Sequence, residues 1–376
     1  MEFGIFNSLY CPKHAYEGVP DPEMVEHRRL MDEVEWTKAA DRAGFKYTWA
    51  TEHHFLEEYS HLSANETFLG YLAGVTENIH LGSGIMNITP PVNHPARVAE
   101  RVAMIDHLSH GRMEFGMGRG SSTTEQGGFG IDDPELTKEM FDETLPQIVR
   151  MFAETDYSYD GTHFSMPTRN VLPKPLTDPH PPLWVAAANP ATFEKAARLG
   201  LGVLCFSTAS PETLKPLIDK YKTLVQDADP VGGYVNDNVM VTTQMLCLED
   251  GHRAKQIATD MTTGYHTSNL FRYLDTFPHP DGIPEWPDLI PEPTYEMVDA
   301  GVRAGMLAIG DPEECANAVD TYVATGADQL VFGMLSTTMP GEVACEAVAT
   351  FGEHVLPRYD KDPVHSTTRQ RREQLE

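Results

Sequence analysis

The feature that most constrains the fold is a regular alternation of short β-rich runs with amphipathic, helix-like windows along the whole chain. This order is typical of a parallel sheet whose strands are connected by helices. Eight strand-like segments occur, at residues 3–6, 45–50, 79–88, 113–117, 183–188, 203–206, 239–247 and 329–334. We therefore predict a closed (β/α)8 barrel, with a doubly wound open sheet as the alternative fold.

Two segments depart from this alternation. Residues 155–182 form a Pro-rich excursion before the fifth strand, and residues 271–296 contain six prolines with little periodicity. Long irregular segments in compact enzymes commonly cover a functional site. Because residues 271–296 follow the seventh strand, we predict a Pro-rich insertion there that closes as a lid over the C-terminal ends of the strands.

The domain organisation is predicted to be simple. Barrels of about this length fold as one unit, and no second composition regime occurs along the chain. Residues 1–360 are therefore predicted to form a single barrel domain. Residues 361–376 contain the one dense basic run of the chain and are predicted to be a polar, solvated C-terminal tail.

The charge of the chain excludes several classes of partner. With 28 Lys and Arg against 56 Asp and Glu, the formal net charge is −28, which argues against nucleic acid and anionic membranes as partners. No apolar stretch approaches the roughly 20 residues that span a bilayer, and the first residues resemble a strand rather than a signal peptide. Five widely spaced cysteines fit neither a disulfide framework nor a zinc site. These features favour a cytoplasmic protein with reduced thiols and no metal site.

The first candidate site is at the end of the second strand, where Glu52, His53 and His54 are consecutive. Imidazole exchanges protons near neutral pH, so the two histidines are candidate catalytic groups. A metal site is less favoured, because consecutive residues of an extended segment point in opposite directions. The alternative is a pair of polar histidines on the rim of the barrel.

The second candidate site follows the fourth strand, at Gly118, Arg119 and Gly120. Closely spaced glycines let backbone N–H groups approach an anion, and the guanidinium group fits a phosphate. The full G-x-G-x-x-G pattern is absent, so a Rossmann dinucleotide site is not predicted. The alternative is a Gly-rich turn with a surface arginine.

Two further strand ends carry candidate ligand-binding residues. Ala188, Asn189 and Thr192 lie where the fifth strand leads into a helix, and the free N–H groups of a helix start favour an anion. An ordinary N-cap is the alternative there. At the end of the third strand, Gly84 and Asn87 could lie against a flat ring, although the glycines could instead relieve crowding inside the barrel.

Taken in order, these motifs resemble the bacterial luciferase-like family of flavin-dependent monooxygenases over nearly the whole chain. The resemblance rests on His53-His54, the third-strand exit, and the segments at 94–97 (HPAR), 106–112 (DHLSHGR), 118–120 (GRG) and 129–130 (FG). It implies a (β/α)8 barrel that binds a reduced flavin, usually FMN, at the C-terminal ends of its strands.

The resemblance also implies roles for individual residues. His53 matches the active-site histidine, with His54 in support, and the backbone of Glu52 is expected beside the flavin ring. Gly84-Ile85 matches a non-prolyl cis peptide bond beneath the isoalloxazine. The other matching positions are the phosphate-binding Arg119 and the strand-five phosphate loop at Ala188, Asn189 and Thr192.

Three positions depart from the family pattern. Lys138 stands where luciferases have a second phosphate-contacting arginine, and it keeps the charge but loses the bidentate fork. Ala188 replaces an acidic residue of the strand-five loop. Gly118 stands at the position of the luciferases' reactive cysteine, so light emission is not inferred.

The resemblance implies a two-component monooxygenase. A separate flavin reductase would supply reduced FMN, which would react with O2 to a flavin C4a-(hydro)peroxide and oxygenate a small organic substrate, apolar or carbonyl-containing. The alternatives are an oxidoreductase of the same fold that transfers hydride with coenzyme F420, and a non-catalytic flavin-binding protein. A homodimer formed through the helices at 65–76 and 95–107 is also expected, although core packing within one chain explains their small residues as well.

Overall fold

A computed structural model describes residues 1–206, 209–277, 279–333 and 339–376. Its strands are β1 Glu2–Asn7, β2 Tyr47–Ala50, β3 His80–Ser83, β4 Met86–Asn87, β5 Met113–Gly118, β6 Tyr157–Asp160, β7 Ser165–Arg169, β8 Leu183–Ala186, β9 Gly202–Cys205, β10 Val239–Cys247, β11 Ala308–Gly310 and β12 Gln329–Gly333. Its helices are α1 Val25–Ala43, α2 Asn65–Val75, α3 Pro95–Leu108, α4 Thr123–Gly128, α5 Leu136–Ala153, α6 Pro190–Arg198, α7 Pro211–Leu224, α8 Gly251–Asp260, α9 Thr263–Tyr273, α10 Tyr295–Arg303, α11 Pro312–Val323, α12 Gly341–His354, α13 Leu356–Tyr359 and α14 Ser366–Leu375.

Eight parallel strands close into a barrel. Their order around the barrel is β1, β2, β3, β5, β8, β9, β10 and β12, and β12 pairs with β1 to complete the ring. The predicted (β/α)8 barrel is therefore confirmed, and the open-sheet alternative is wrong. Large side chains fill the interior, so the barrel is a packed core with its ligand-binding surface at the strand ends. These interior residues are Tyr47, Trp49, Trp184, Leu204, Met240 and Val331.

The predicted third strand, 79–88, is divided in the structure. β3 ends at Ser83, and β4 begins at Met86. The hydroxyl of Ser83 donates to the carbonyl of Gly116 and accepts its N–H group, at 2.8 and 2.9 Å. Hydrogen bonds from the Ser83 side chain thus replace the backbone hydrogen bonds between β3 and β5 at this point. The chain bends there before β4 pairs with β5. Met334, the last residue of the predicted eighth strand, lies outside the described residues.

The long segment between β10 and β11, residues 248–307, is called the insertion below. It contains α8, α9 and α10, which were not predicted because each is only nine to eleven residues long. The irregular part, without helix or strand in the described residues, is confined to 274–294. The earlier excursion, 155–182, contains the antiparallel hairpin of β6 and β7.

The C-terminal segment differs from the solvated tail that was expected. Residues 366–375 form α14, which covers the N-terminal end of the barrel. The Thr367 hydroxyl donates to Glu114 at 2.6 Å, and the N–H group of Ser366 donates to Glu2 at 2.9 Å. Buried carboxylates, rather than an apolar stripe, hold this polar helix. In the described ranges, no helix is long and apolar enough to cross a membrane.

Candidate active site

The two histidines that follow β2 each pair with a different carboxylate. Nδ1 of His53 lies 3.1 Å from Oε1 of Glu125, and Nε2 of His54 lies 3.1 Å from Oε1 of Glu52. The two rings thus point to different partners, as expected for consecutive residues of an extended segment. Because a carboxylate accepts hydrogen bonds, each paired nitrogen carries a proton, and the second ring nitrogen is left to act as a base.

Glu125 was not predicted as a site residue. It is buried in the first turn of α4, and its Oε1 also accepts the backbone N–H group of His54 at 2.7 Å. Ser122 lies three residues earlier, and this spacing is typical of a capping box, in which the glutamate faces its own helix start. In the structure Ser122 makes no cap hydrogen bond, and Glu125 faces the histidines instead. The carboxylate therefore orients both histidines.

The carboxylate of Glu52 connects the ends of β2 and β4. It accepts the backbone N–H group of Asn87 at 3.2 Å and the side-chain amide of Asn93 at 2.9 Å. Oδ1 of Asn87 in turn accepts the N–H and hydroxyl groups of Thr89. Nδ2 of Asn87 has no partner among the described residues and lies beside Gly120. The Glu52 side chain is thus occupied within the protein, whereas the Asn87 amide can still donate to a ligand.

The peptide bond between Gly84 and Ile85 is cis, as the resemblance to the luciferase-like family implied. The Asn65 side chain on α2 donates to the carbonyl groups of Ala50 and Ile85, at 3.2 and 3.0 Å. The Ile85 side chain lies against Gly118, where a Cβ atom would come within 2.6 Å of it. Position 118 therefore has no room for a cysteine unless Ile85 moves.

An apolar surface lies above the barrel core beside this peptide bond. It is formed by the partly buried side chains of Phe6, Ile85 and Phe206. The rings of Phe6 and Phe206 lie 5.0 Å apart, centroid to centroid. Such a surface suits one face of a flat, largely apolar ring system.

Arg119 follows β5 directly and is half-buried. Its Nη1 donates to the hydroxyl of Thr137, in the first turn of α5, at 2.7 Å. Burial lowers the pKa of Arg119, while Glu135 and Asp142 act in the opposite direction. An arginine so held remains charged at neutral pH and offers its other N–H groups to an anion. Gly120 follows in the left-handed region, with a φ of 78°.

The start of α6 lies at the neighbouring strand end, because β5 and β8 pair side by side. Oδ1 of Asn189 accepts the N–H and hydroxyl groups of Thr192, at 3.1 and 3.2 Å, so Asn189 is the N-cap. Ala188 and Asn189 are exposed. Pro190 has no N–H group, and that of Phe193 donates to the Asn189 carbonyl, so within this first turn the Ala191 N–H group is left to bind an anion. Arg119, Gly120 and this helix start are called the Arg119 end of the site.

Lys138 lies on the exposed surface of α5. Its Nζ is 2.6 Å from the carboxylate of Glu135, and both side chains are more than half exposed. Exposed pairs of this kind contribute little binding energy and leave the lysine free to rearrange. Lys138 is therefore a weaker candidate for anion binding than Arg119.

Buried polar atoms without partners lie close to the Arg119 end. The Ser122 hydroxyl and both side-chain amide atoms of Gln126 have no hydrogen-bond partner among the described residues. Nε2 of Gln126 lies 3.9 Å from the position that a Cβ atom would occupy on Gly120, which is an ordinary van der Waals distance. Each such group costs about 1–3 kcal/mol unless a ligand or water satisfies it. The residues present therefore fit a polar ligand, whereas no group of three His, Cys, Asp or Glu in the described ranges is placed to hold a metal ion.

The insertion brings a further histidine to the same end of the barrel. The imidazole of His266 on α9 packs against Tyr10 and Tyr59, with ring centroids 4.6 and 5.5 Å apart. Tyr59 in turn contacts His53, at 5.4 Å. Burial lowers the pKa of His266 to about 4, so the ring is neutral at pH 7. Sequence reasoning missed His266 because it did not predict α9.

The insertion also contacts the loop after β5. The carboxylate of Asp275 accepts the N–H group of Thr123 at 2.8 Å and also its hydroxyl group. The hydroxyl of Thr276 donates to the carbonyl of Ser121 at 2.9 Å. Asp275 thus caps the first turn of α4, the helix that carries Glu125, from a distant part of the chain.

Changing Glu125 to Ala is expected to lower turnover about tenfold or more, because the His54 N–H group loses its acceptor and the His53 ring loses its orienting partner. Steady-state product formation and flavin affinity should be measured together, since the apolar surface and the Arg119 end are unchanged in this variant. Glu125→Gln, which keeps an acceptor for the N–H group, should recover part of the loss. Equal turnover in all three proteins would contradict an orienting role.

Two relatives of this chain have sequence identities of 30% and 33% to it. The protein y4wF of Sinorhizobium fredii, which is uncharacterised, is 30% identical over 76% of this chain and 78% of its own length. The oxygenase component of the flavin-dependent trigonelline monooxygenase of Acinetobacter baylyi is 33% identical, over 47% of this chain and 48% of its own length.

Solved structures share the fold. Monooxygenase RslO1 from Streptomyces bottropensis has a TM-score of 0.79 at 24% identity, covering 96% of this chain and 100% of its own. The oxygenating constituent of 3,6-diketocamphane monooxygenase from Pseudomonas putida, in complex with FMN, has 0.75 at 16% identity, covering 96% and 99%. The F420-dependent tetrahydromethanopterin reductase of Methanopyrus kandleri has 0.65 at 18%, covering 96% and 99%.

The sequence pattern as a whole agrees with this barrel and its strand-end groups. The family model described as luciferase-like monooxygenase matches residues 1–329, which span the barrel from β1 to the start of β12. A match over so much of the chain establishes the family to which it belongs. The chain therefore belongs to the luciferase-like monooxygenase family.

Proposed function

We propose that this protein is the oxygenase component of a two-component flavin-dependent monooxygenase. A separate flavin reductase supplies reduced FMN, and the substrate is a small organic molecule, apolar or carbonyl-containing. One atom of O2 enters the substrate, the other leaves as water, and the flavin returns to its oxidised form. Its location is proposed to be cytoplasmic, which its five free cysteines support.

One observation carries this proposal: the ordered set of groups along the strand ends. A carboxylate-paired histidine, His53, lies at the end of β2, and Arg119 with unpartnered polar atoms lies beyond β5. Between them lies the apolar surface beside the Gly84-Ile85 bond. The base and the flat apolar face suit the ring system of FMN, and the anion-binding groups suit its phosphate. Their order along the strand ends therefore matches the order of these parts in FMN.

The chain's own residues have distinct roles in this proposal. Arg119 and the start of α6 hold the phosphate, and the Asn87 and Gln126 amides donate to or accept from the polar atoms of the cofactor. Gly84 and Ile85 lie beneath the ring. Reduced FMN, when bound, supplies the electrons that activate O2.

His53 is the proposed general acid and base. Glu125 holds the proton at Nδ1, so Nε2 is free to take a proton from a reacting group and return it later. The ring of His53 packs against Tyr59, which packs in turn against His266. His54, held by Glu52, supports the geometry or contacts the substrate.

The segment 271–296 of the insertion, in which Pro278 lies outside the described residues, is the proposed lid. Its contacts with Ser121 and Thr123 hold it over the strand ends, and Asp275 joins its position to the helix of Glu125. Closing would therefore order the catalytic carboxylate at the same time as it excludes water.

Changing Asp275 to Ala is expected to raise the release of hydrogen peroxide and to lower product yield about 2- to 30-fold, because an N-cap contributes about 0.5–2 kcal/mol. The measurement is the ratio of product to hydrogen peroxide per reduced FMN consumed. Asp281→Ala, at an exposed carboxylate of the same segment that has no recorded partner among the described residues, is the matched control. An identical ratio of product to hydrogen peroxide in both variants would contradict the role of Asp275 in holding the lid.

The function itself is tested with isotopically labelled oxygen. The protein is supplied with reduced FMN by a generic flavin reductase under ¹⁸O2, with aliphatic aldehydes and cyclic ketones as substrates. Product carrying one ¹⁸O atom from any of them is the expected result. Oxidation of reduced FMN to hydrogen peroxide alone, at the rate seen without the protein, would contradict a monooxygenase.

The runner-up is hydride transfer with coenzyme F420. The likeness in fold to the tetrahydromethanopterin reductase supports it, because the same barrel accommodates either cofactor. Binding titrations separate the two: tight binding of F420 with negligible affinity for FMN would favour the alternative. The third possibility, a non-catalytic flavin-binding protein, is separated by the His53 variant described in the Discussion.

A homodimer through α2 and α3 is proposed. Four large apolar side chains on these packed helices are at least one-third exposed, namely Tyr71, Val75, Met104 and Leu108. Of the small residues on these helices, Ala73, Ala99 and Ala103 are buried within the chain and support core packing, whereas Gly74 is exposed. We expect sedimentation velocity to give a dimer that Met104→Glu weakens at least about tenfold, since a charge would enter an apolar interface. A monomeric wild-type protein would contradict this.

A further inference from the structure

A second cavity lies at the opposite end of the barrel from the candidate active site. Its volume is about 560 Å³, and it opens between the start of β3, the loop before β8 and the first turns of α14. In the described part of the chain, none of the active-site residues named above lines it. This basal cavity is therefore a separate candidate binding site.

One face of α14 brings positive charge to the basal cavity. Thr368, Arg371 and Arg372 line it, and their i, i+3, i+4 spacing places them on one side of the helix. Nη1 of Arg371 donates to the backbone carbonyl of Asp178 at 2.7 Å, which holds the guanidinium group at the cavity. The exposed Arg372 side chain has no hydrogen bond or ion pair to any described residue. The start of α14 adds N–H groups without helical partners and partial positive charge.

The opposite wall contains a buried histidine with a free ring nitrogen. His80 is 7% exposed, and its Nδ1 lies 2.7 Å from Oε1 of Glu114. Its Nε2 has no partner among the described residues, and the ring lines the cavity. The imidazole of His365 stacks on it at 3.6 Å and fixes its plane. A polar atom of a largely buried side chain is thus available to a ligand from the wall that faces α14.

Whether Nε2 of His80 donates or accepts a hydrogen bond depends on the proton shared between its Nδ1 and Glu114. Glu114 also accepts from the Thr367 hydroxyl and the Trp184 indole, at 2.6 and 2.7 Å, which favours a proton on Nδ1 of His80. Burial raises the pKa of Glu114 to about 8, which favours the proton on the carboxyl group. Nε2 is accordingly an acceptor in the first arrangement and a donor in the second. Hydrogen phosphate carries both O–H and O⁻ groups and pairs with either form, whereas sulfate at pH 7 has no O–H group and pairs with the donor alone.

The local charge differs from that of the whole chain. The chain has a formal net charge of −28, yet Arg112, Arg371 and Arg372 line this cavity against one acidic side chain, Asp178. Arg112 uses its donors within the protein, on carbonyl groups and the Thr76 hydroxyl, and so contributes charge rather than hydrogen bonds. Arg371, Arg372 and the helix start remain as anion ligands.

We propose that the basal cavity binds inorganic phosphate, with Arg371, Arg372 and the start of α14 on its charged oxygens and Nε2 of His80 on a further oxygen. The bound ion joins α14 to the ring of strand starts. The site is independent of the proposed monooxygenase activity, because it lies at the other end of the barrel.

The test is calorimetric titration of the full chain with sodium phosphate at pH 7 and constant ionic strength. The Arg119→Ala protein is used, so that the cofactor-phosphate groups of the active site do not contribute. We expect one phosphate per chain and an affinity for sulfate that is no higher, because sulfate pairs with Nε2 only in its donor form. Absence of phosphate binding, or tighter binding of sulfate than of phosphate, would overturn the proposal.

Two arginine variants of α14 form a matched pair. Arg372→Gln is expected to weaken phosphate binding about tenfold, since it removes a charge-assisted hydrogen bond, and the fold loses no described contact. Arg369→Gln removes the same charge from the same helix, but Arg369 pairs with Asp362 and does not line the cavity. Its effect should stay within about twofold. Equal losses in both variants would show general electrostatic attraction and would also overturn the proposal.

Discussion

Changing His53 to Ala is expected to lower the rate of substrate oxygenation by about two to four orders of magnitude, the usual contribution of a positioned general acid or base. The affinity for FMN should change by less than about threefold, because the apolar surface and the Arg119 end are untouched. The effect should therefore appear in kcat rather than in flavin binding. Single-turnover product formation and equilibrium flavin titration measure the two quantities separately.

His61→Ala is the matched control for this experiment. His61 lies on the same loop after β2, but its imidazole pairs with Glu26 and the carbonyl of Glu57. The control should keep nearly full turnover. If His53→Ala also kept it, the non-catalytic flavin-binding alternative would be favoured; a large loss of FMN affinity would instead assign His53 to binding.

Changing Arg119 to Ala is expected to weaken FMN binding about 10- to 100-fold, because hydrogen bonds from a charged group contribute about 1.5–3 kcal/mol. At a net charge of −28, the field of the whole protein disfavours an anion, so local contacts must supply this affinity. Arg42→Ala, which removes an exposed arginine near the end of α1, should change the affinity by less than about twofold.

Riboflavin, which lacks the phosphate, separates phosphate contact from any general effect of the mutation. Wild-type protein should bind riboflavin more weakly than FMN, and Arg119→Ala should lose little further affinity for riboflavin. An equal loss for both flavins would mean that Arg119 acts on the fold or the ring instead. An equal loss of FMN affinity in the Arg42 variant would refute local phosphate recognition.

The barrel was predictable because its pattern is local. Strand runs and amphipathic windows recur at short range, and their order predicts a parallel sheet connected by helices, with a closed barrel favoured over a doubly wound open sheet. The Asn189 cap was also predictable, since the residue types and the following Pro190 mark a helix start. The cis bond at Gly84-Ile85 was implied by family resemblance rather than by any property of the two residues.

The missed residues depend on contacts between distant segments. Glu125 has the spacing of a capping box with Ser122, which predicts that its side chain caps its own helix. In the folded chain Asp275 caps Thr123 instead, and Glu125 pairs with His53. Likewise, α14 has no apolar stripe from which its packing against the barrel could be predicted. It is bound by hydrogen bonds to Glu2 and Glu114, which are distant from it in the sequence.

The pairing of β12 with both β1 and β10 has a consequence for synthesis on the ribosome. At roughly 5–20 residues per second, β12 emerges tens of seconds after β1. Throughout that interval the open edge of β1 is available to other strands, and so is that of β10 once β10 has emerged; such edges promote aggregation. Slow elongation or high expression should therefore favour misassembly of nascent chains, and chaperones that cover strand edges should raise the yield of this protein more than a mutation that stabilises its finished core.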